Sequence, residues 1–276
     1  MRVSVDFESV RAERDPLAQA RHATELIALY QQRSVELARL RKQAIEQAVR
    51  DTGMSFSAVA QSVGLSKGRV TQIRQSAPPP ERALFGVGPI TVAIPLRSIE
   101  GRALGVIAAE DSLSAERLTT YLHSLQFQVH QQQIPLDGQW RPPDDAVAIC
   151  GPRSSSVTAE AIDSDRFLVF GPDTTGVWSL RDRATDAHFG SPMDAGDPSA
   201  DIAYVGRVRY RSSTLLVIAG VHALGSLGAV HYLTEHAGEL FDQVQTSCFS
   251  LVVRTDFDGL DPIRHEILAP ARSHDG

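Results

Sequence analysis

Lys67, Gly68, Arg69, Thr71, Gln72 and Arg74 stand in a run, 67–74, in which only Val70 and Ile73 are apolar. Two apolar residues three apart bury one face of a helix, and the remainder is what reads nucleic acid. Arg and Lys fork onto a guanine edge, Gln pairs with an adenine edge, and flanking basic groups hold phosphates. Arg69 or Lys67 is the expected guanine reader and Gln72 the adenine reader, with Arg74 and Arg50 on the backbone.

A second kind of chemistry is suggested by two loops that each follow an apolar run and precede a helical one. Gly151-Pro-Arg-Ser-Ser-Ser156 follows 146–150, and Gly220-Val-His-Ala-Leu-Gly-Ser-Leu-Gly228 follows 215–219. Glycine lets the backbone approach a ligand, and hydroxyls beside the free N–H groups of a helix start make a cradle for an anion. The candidate ligand residues are Gly151, Arg153, Ser154, Ser155, Ser156, Gly220, His222, Gly225 and Ser226. If both apolar runs are parallel strands, the two loops meet on the sheet edge where open α/β folds hold ligands, here a small anion or a nucleotide. Neither loop carries the dinucleotide or Walker glycine pattern.

Four carboxylates near these loops, Glu110, Asp111, Glu160 and Asp194, are candidates for a nucleotide-processing enzyme of the glycosidic-bond hydrolase or transferase type. None stands in a motif that demands it, and Ser226 lacks the Gly-x-Ser-x-Gly elbow, so no catalytic residue is assigned. Trp140 and Trp178 read as packing residues. Cys150 and Cys248 are the only cysteines, without Cys-x-x-Cys or a nearby histidine pair, which signals a reducing compartment and no zinc, disulfide or other cofactor site.

The polar run needs an element to hold it. Phe56, Val59, Ala60 and Val63 fall three and four apart on one helical face, Gly64 supplies a corner, and Ser66 caps the next helix, which returns Val70 and Ile73 to the same core. The pattern Ala60, Gly64, Leu65, Ser66, Val70, Ile73 resembles the helix-turn-helix of the sigma-70 region 4 superfamily. The chain as a whole resembles actinobacterial sigma-factor-like helix-turn-helix proteins, which join this module to a larger C-terminal α/β domain. That resemblance implies double-stranded DNA as partner and transcription regulation as the role, and it assigns no ligand to the C-terminal half. No counterpart of the promoter-melting helix is visible, so it does not imply promoter initiation.

Upstream, Asp15 and Pro16 open a stretch without Gly or further Pro as far as Thr52, read as one long helix; 1–14 is read as an arm or short tail. Ala23, Leu26, Tyr30, Arg33, Leu37, Leu40 and Ala44 form a heptad seam interrupted by Arg33. It suits either a dimerising coiled coil or a helix packed on its own chain. Ala44, Ile45, Ala48 and Val49 are expected to cover the helix-turn-helix core. Pro78 to Pro80 stiffen an extended linker, 77–82, between a helical DNA-binding domain, 1–76, and an α/β domain, 83–276. The net charge of -6 is split: residues 1–77 hold 12 Lys/Arg against 8 Asp/Glu, and 78–276 hold 15 against 25. An acidic body behind a basic head confines DNA contact to the head.

In the second domain, apolar runs at 90–96, 103–109, 127–132, 146–150, 167–170, 176–180, 188–191, 202–210, 215–219, 249–255 and 264–269 read as strands. Helices are expected at 115–125, opened by Ser114, and at 157–162 and 226–244. Strand-helix-strand units of this length predict a Rossmann-like mixed, mainly parallel sheet with helices on both faces. No apolar run reaches membrane-spanning length. The sequence therefore leads to the expectation of a cytoplasmic homodimeric regulator whose α/β domain senses a ligand or oligomerises.

Overall fold

The computed structural model describes residues 6–274. Val3 and Val5 of the expected arm lie outside them. The arm's other residues include a short helix, α1 (Phe7–Ala12), closed by a reciprocal cap between Asp6 and Ser9. α2 (Pro16–Thr52) opens on Asp15, whose carboxylate accepts from the Leu17 N–H, and stops at Gly53 in the left-handed region. α3 (Phe56–Ser62) and α4 (Lys67–Ser76) are each capped by the preceding serine: Ser55 accepts from the Ala58 N–H and Ser66 from the Arg69 N–H. Gly64, at φ +69°, turns the chain between them. Val59, Ala60, Val70 and Ile73 close on Ile45, flanked by Ala48, Val49, Phe56 and Leu65. Ala44 and Val63, expected in this core, are exposed.

The α2 seam is left open. Tyr30, Arg33, Leu37, Leu40 and Ala44 are exposed, Leu37 at 65%, and Leu26 alone of the seam is buried. Besides Leu26 and Ile45, the α2 residues buried against the rest of the chain are polar. Gln32 and Arg39 are buried, and Arg39 Nη2 lies 2.7 Å from Glu36. The cause is Arg82, which has no exposed surface. Its guanidinium donates to Leu125 O at 2.7 Å, Val87 O at 2.8 Å and Gln32 Oε1 at 3.0 Å, and lies 3.5 Å from the Phe127 ring centre. Burial pulls its pKa down to about 10 in spite of Glu36, 3.7 Å away. A buried cation needs acceptors, and α2 offers its polar stripe for that purpose.

The 77–82 segment is accordingly not extended throughout. Pro80–Leu84 turns as a short 3-10 helix, its proline at the first turn, and carries Arg82 into this seam.

The main sheet has seven strands, in the spatial order Asp261–Ser273, Phe249–Asp258, Ala200–Tyr210, Ser213–Gly220, Ala146–Ile149, Ile90–Pro95 and Val129–Ile134. β1 (Ile90–Pro95), β2 (Val129–Ile134), β3 (Ala146–Ile149) and β8 (Ser213–Gly220) form a parallel half. β7 (Ala200–Tyr210), β9 (Phe249–Asp258) and β10 (Asp261–Ser273) are antiparallel to their neighbours, so the sheet is more evenly mixed than expected. The tight connections at Arg211 and Gly259, both at positive φ, leave no room for a crossover helix.

α5 (Ala109–Ser124) and α7 (Ala223–Val244) cover one face, packing on Val92, Ile94, Val147, Val205 and Ile218. The other face carries α6 (Ser156–Asp163) and a separate antiparallel sheet of β4 (Leu168–Pro172), β5 (Trp178–Asp182) and β6 (His188–Gly190).

One expected strand is absent. Residues 103–109 contribute only a bridge from Val106 to Arg97, and α5 begins at Ala109 rather than after Ser114. Ser114 Oγ instead donates to Glu110 O inside the helix, and Glu110 and Asp111 occupy its first turn, where negative charge suits the helix dipole. Among the described residues no helix is long and apolar enough to cross a membrane.

Candidate functional site

The parallel pairing of β3 with β8 aligns Ile149 with Ile218, so the chain leaves both strands at the same sheet edge. The loops that follow touch: a Cβ on Gly151 would stand 3.5 Å from Gly220 O. Between them opens a cavity of about 530 Å³. Gly151, Arg153, Ser154, Gly220, His222 and Ser226 line it, as the two loops predict. Arg97 and Asp111 form one wall, paired at 2.7 Å, and Phe170 and Trp178 form an aromatic one. Arg153 reaches toward that second wall, 5.9 Å from the Trp178 ring centre.

The other three proposed ligand residues have different roles. Ser155 is buried; its hydroxyl accepts from the Thr158 N–H as the cap of α6 and donates to Gly138 O. Ser156 is exposed and does not line the cavity.

Gly225 faces Asp201, a carboxylate with no exposed surface. Asp201 Oδ2 accepts from the Gly225 N–H at 2.7 Å and the His222 N–H at 3.1 Å, while Oδ1 accepts from Ser191 Oγ at 2.6 Å and the Ile202 N–H at 2.9 Å. At the start of α7 the His222 and Gly225 N–H groups are therefore taken by the protein's own carboxylate. A Cβ on Gly225 would collide with the Ile202 carbonyl oxygen and stand 2.7 Å from Asp201 Oδ2, which is why glycine is needed there. Ser226 Oγ accepts from the Gly220 N–H at 2.9 Å.

Electrostatically, the cavity has one closed and one open cation. Burial pushes the Asp111 carboxyl above its usual range, and Arg97 opposes that shift by ion pairing and hydrogen bonding. Arg153 has no ion pair among the described residues and is exposed at the rim. His222 Nε2 lies 3.1 Å from Asp194 Oδ1, so two of the sequence candidates pair with each other and not with Ser226. Glu160 is turned outward to Arg211, 3.7 Å away. Burial drives the Cys150 thiol up to about 12, in keeping with an inert thiol at the strand end. Sequence reasoning missed Arg97 and Asp201. Arg97 follows the carboxyl end of β1, so the rule that found the loops would also have found it. Asp201 had no local signal.

At the other end of the chain, Lys67, Gly68, Arg69, Thr71, Gln72 and Arg74 are all exposed on α4 while Val70 and Ile73 are buried beneath them. Arg69 Nη1 donates to Gln72 Oε1 at 2.6 Å, and Arg74 lies 4.0 Å from the Phe56 ring centre and 3.5 Å from Glu46. The ridge holds three cations and no acid. Arg50 stands apart from it, in a cleft of about 370 Å³ between α2 and α7 that Phe241 and Asp242 also line. Comparison of the chain with known protein families, with curated proteins and with solved structures gives no match.

Proposed function

We propose that the protein is a cytoplasmic bacterial transcription regulator, binding double-stranded DNA through α3 and α4 as a sigma-region-4-like helix-turn-helix. The observation that carries this reading is the division of α4: its apolar residues close a small core while Lys67, Arg69, Thr71, Gln72 and Arg74 face solvent together. A helix with this division fits the major groove, and its two serine caps and glycine corner hold the ridge at a fixed angle. The open seam of α2 at Tyr30, Leu37 and Leu40 supports a homodimer, which suits a two-fold operator. In the Rossmann-like body, the cavity with an aromatic wall and an open Arg153 supports sensing of a small anion or a nucleotide.

Fluorescence anisotropy with DNA fragments selected from the genome tests the central claim. Arg69→Ala weakens the selected site by roughly 1–3 kcal/mol while the folded protein keeps its thermal stability, and affinity falls steeply with salt. Binding by Arg69→Ala and Lys67→Ala indistinguishable from the parent would discard it.

A further inference from the structure

On the face of the molecule covered by α7, three side chains able to hold a metal ion meet from two separate elements. His231 and Glu235 stand one turn apart on α7, and His265 faces them from β10. His231 Nδ1 lies 2.8 Å from His265 Nε2 and 3.3 Å from Glu235 Oε2, and His265 Nε2 lies 3.8 Å from the same carboxylate oxygen. Two ligands at ~2.1 Å from a tetrahedral ion stand about 3.4 Å apart, and the three separations straddle that value. All three donor atoms thus lie around one spot.

The surroundings match what a metal-binding histidine requires. Thr255 Oγ1 lies 3.0 Å from His265 Nδ1, and with the proton on that nitrogen Nε2 turns its lone pair to the shared spot. Glu235 is half-exposed, leaving a side open to water as a fourth ligand. The helix is pressed close here: a Cβ on Gly228, one turn before His231, would collide with Thr255.

We propose that His231, Glu235 and His265 form a binding site for one divalent transition-metal ion, with zinc the best fit to two imidazoles and a carboxylate. The ion ties the outermost strand, β10, to α7 and stabilises their contact. It takes no part in the ridge or the cavity.

Zn²⁺ titrated into the apo full-length chain against a chromogenic chelator tests this, with Co²⁺ as a spectroscopic probe. The expected result is one equivalent per chain, a Co²⁺ visible spectrum of tetrahedral intensity, and a rise in Tm on adding Zn²⁺. His231→Ala and His265→Ala each weaken binding about 100-fold or more, and the near-isosteric Thr255→Val about 10-fold. Should either alanine variant fail to fold, Glu235→Gln on the half-exposed carboxylate decides: it weakens Zn²⁺ at least about 10-fold and changes the Co²⁺ spectrum. Absence of stoichiometric binding, or binding that Glu235→Gln leaves unchanged, overturns the site.

Discussion

The start of α4 and the start of α7 look alike in sequence, each a glycine- and serine-bearing turn opening a helix, yet the fold uses them in opposite ways. α4 is capped by Ser66 next door, and its polar residues remain in solvent. α7 is capped by Asp201, 24 residues before the Gly225 N–H that it accepts from, and its first turn is buried around that carboxylate. A helix end capped by its own neighbour leaves its outer face available to a partner. One capped from a distance has become part of the core.

The largest effect that would break this contrast is at Asp201. Asp201→Ala strips the acceptor from four donors, three of them buried, and is expected to cost about 3 kcal/mol or more in urea denaturation. A loss below about 1 kcal/mol would mean that α7 does not depend on its remote cap.

Next comes the core beneath α4. Ile73→Ala is expected to cost about 2–4 kcal/mol and to melt α3 and α4 before the sheet, seen as an early helical transition in circular dichroism. Coincident melting of head and sheet would show the two regions to be one cooperative unit. The smallest effect is at the local cap: Ser66→Ala is expected to cost about 1 kcal/mol and to leave the sheet transition unmoved. Equal losses at Ser66 and Asp201 would erase the distinction.

Much of the cavity was legible because its logic is regional. Loops after two parallel strands fall on one edge, and Gly151, Arg153, Ser154, Gly220, His222 and Ser226 meet there as their positions imply. What was not legible came from chain paths with no local signature. Residues 103–109 are apolar enough for a strand, but only Val106 finds a bridging partner, at Arg97. Gly225 reads as an anion contact until Asp201 is seen to occupy its N–H. The α2 seam shows the same limit: a heptad reports which residues could pack, and Leu37 and Leu40 nevertheless stay exposed because Arg82 draws the neighbouring polar stripe inward.

The sequence by itself determined the helical head: Asp15 with Pro16, Ser55, Gly64 and Ser66 act on N–H groups and dihedrals within a few residues, and those forces are written contiguously. Only the tertiary structure decided which face of α2 is covered, what neutralises the start of α7, and that His231 and His265, 34 residues apart, come within 2.8 Å. Those outcomes depend on long-range closure of the sheet, where buried charges and donors take whichever partner the chain path brings to them.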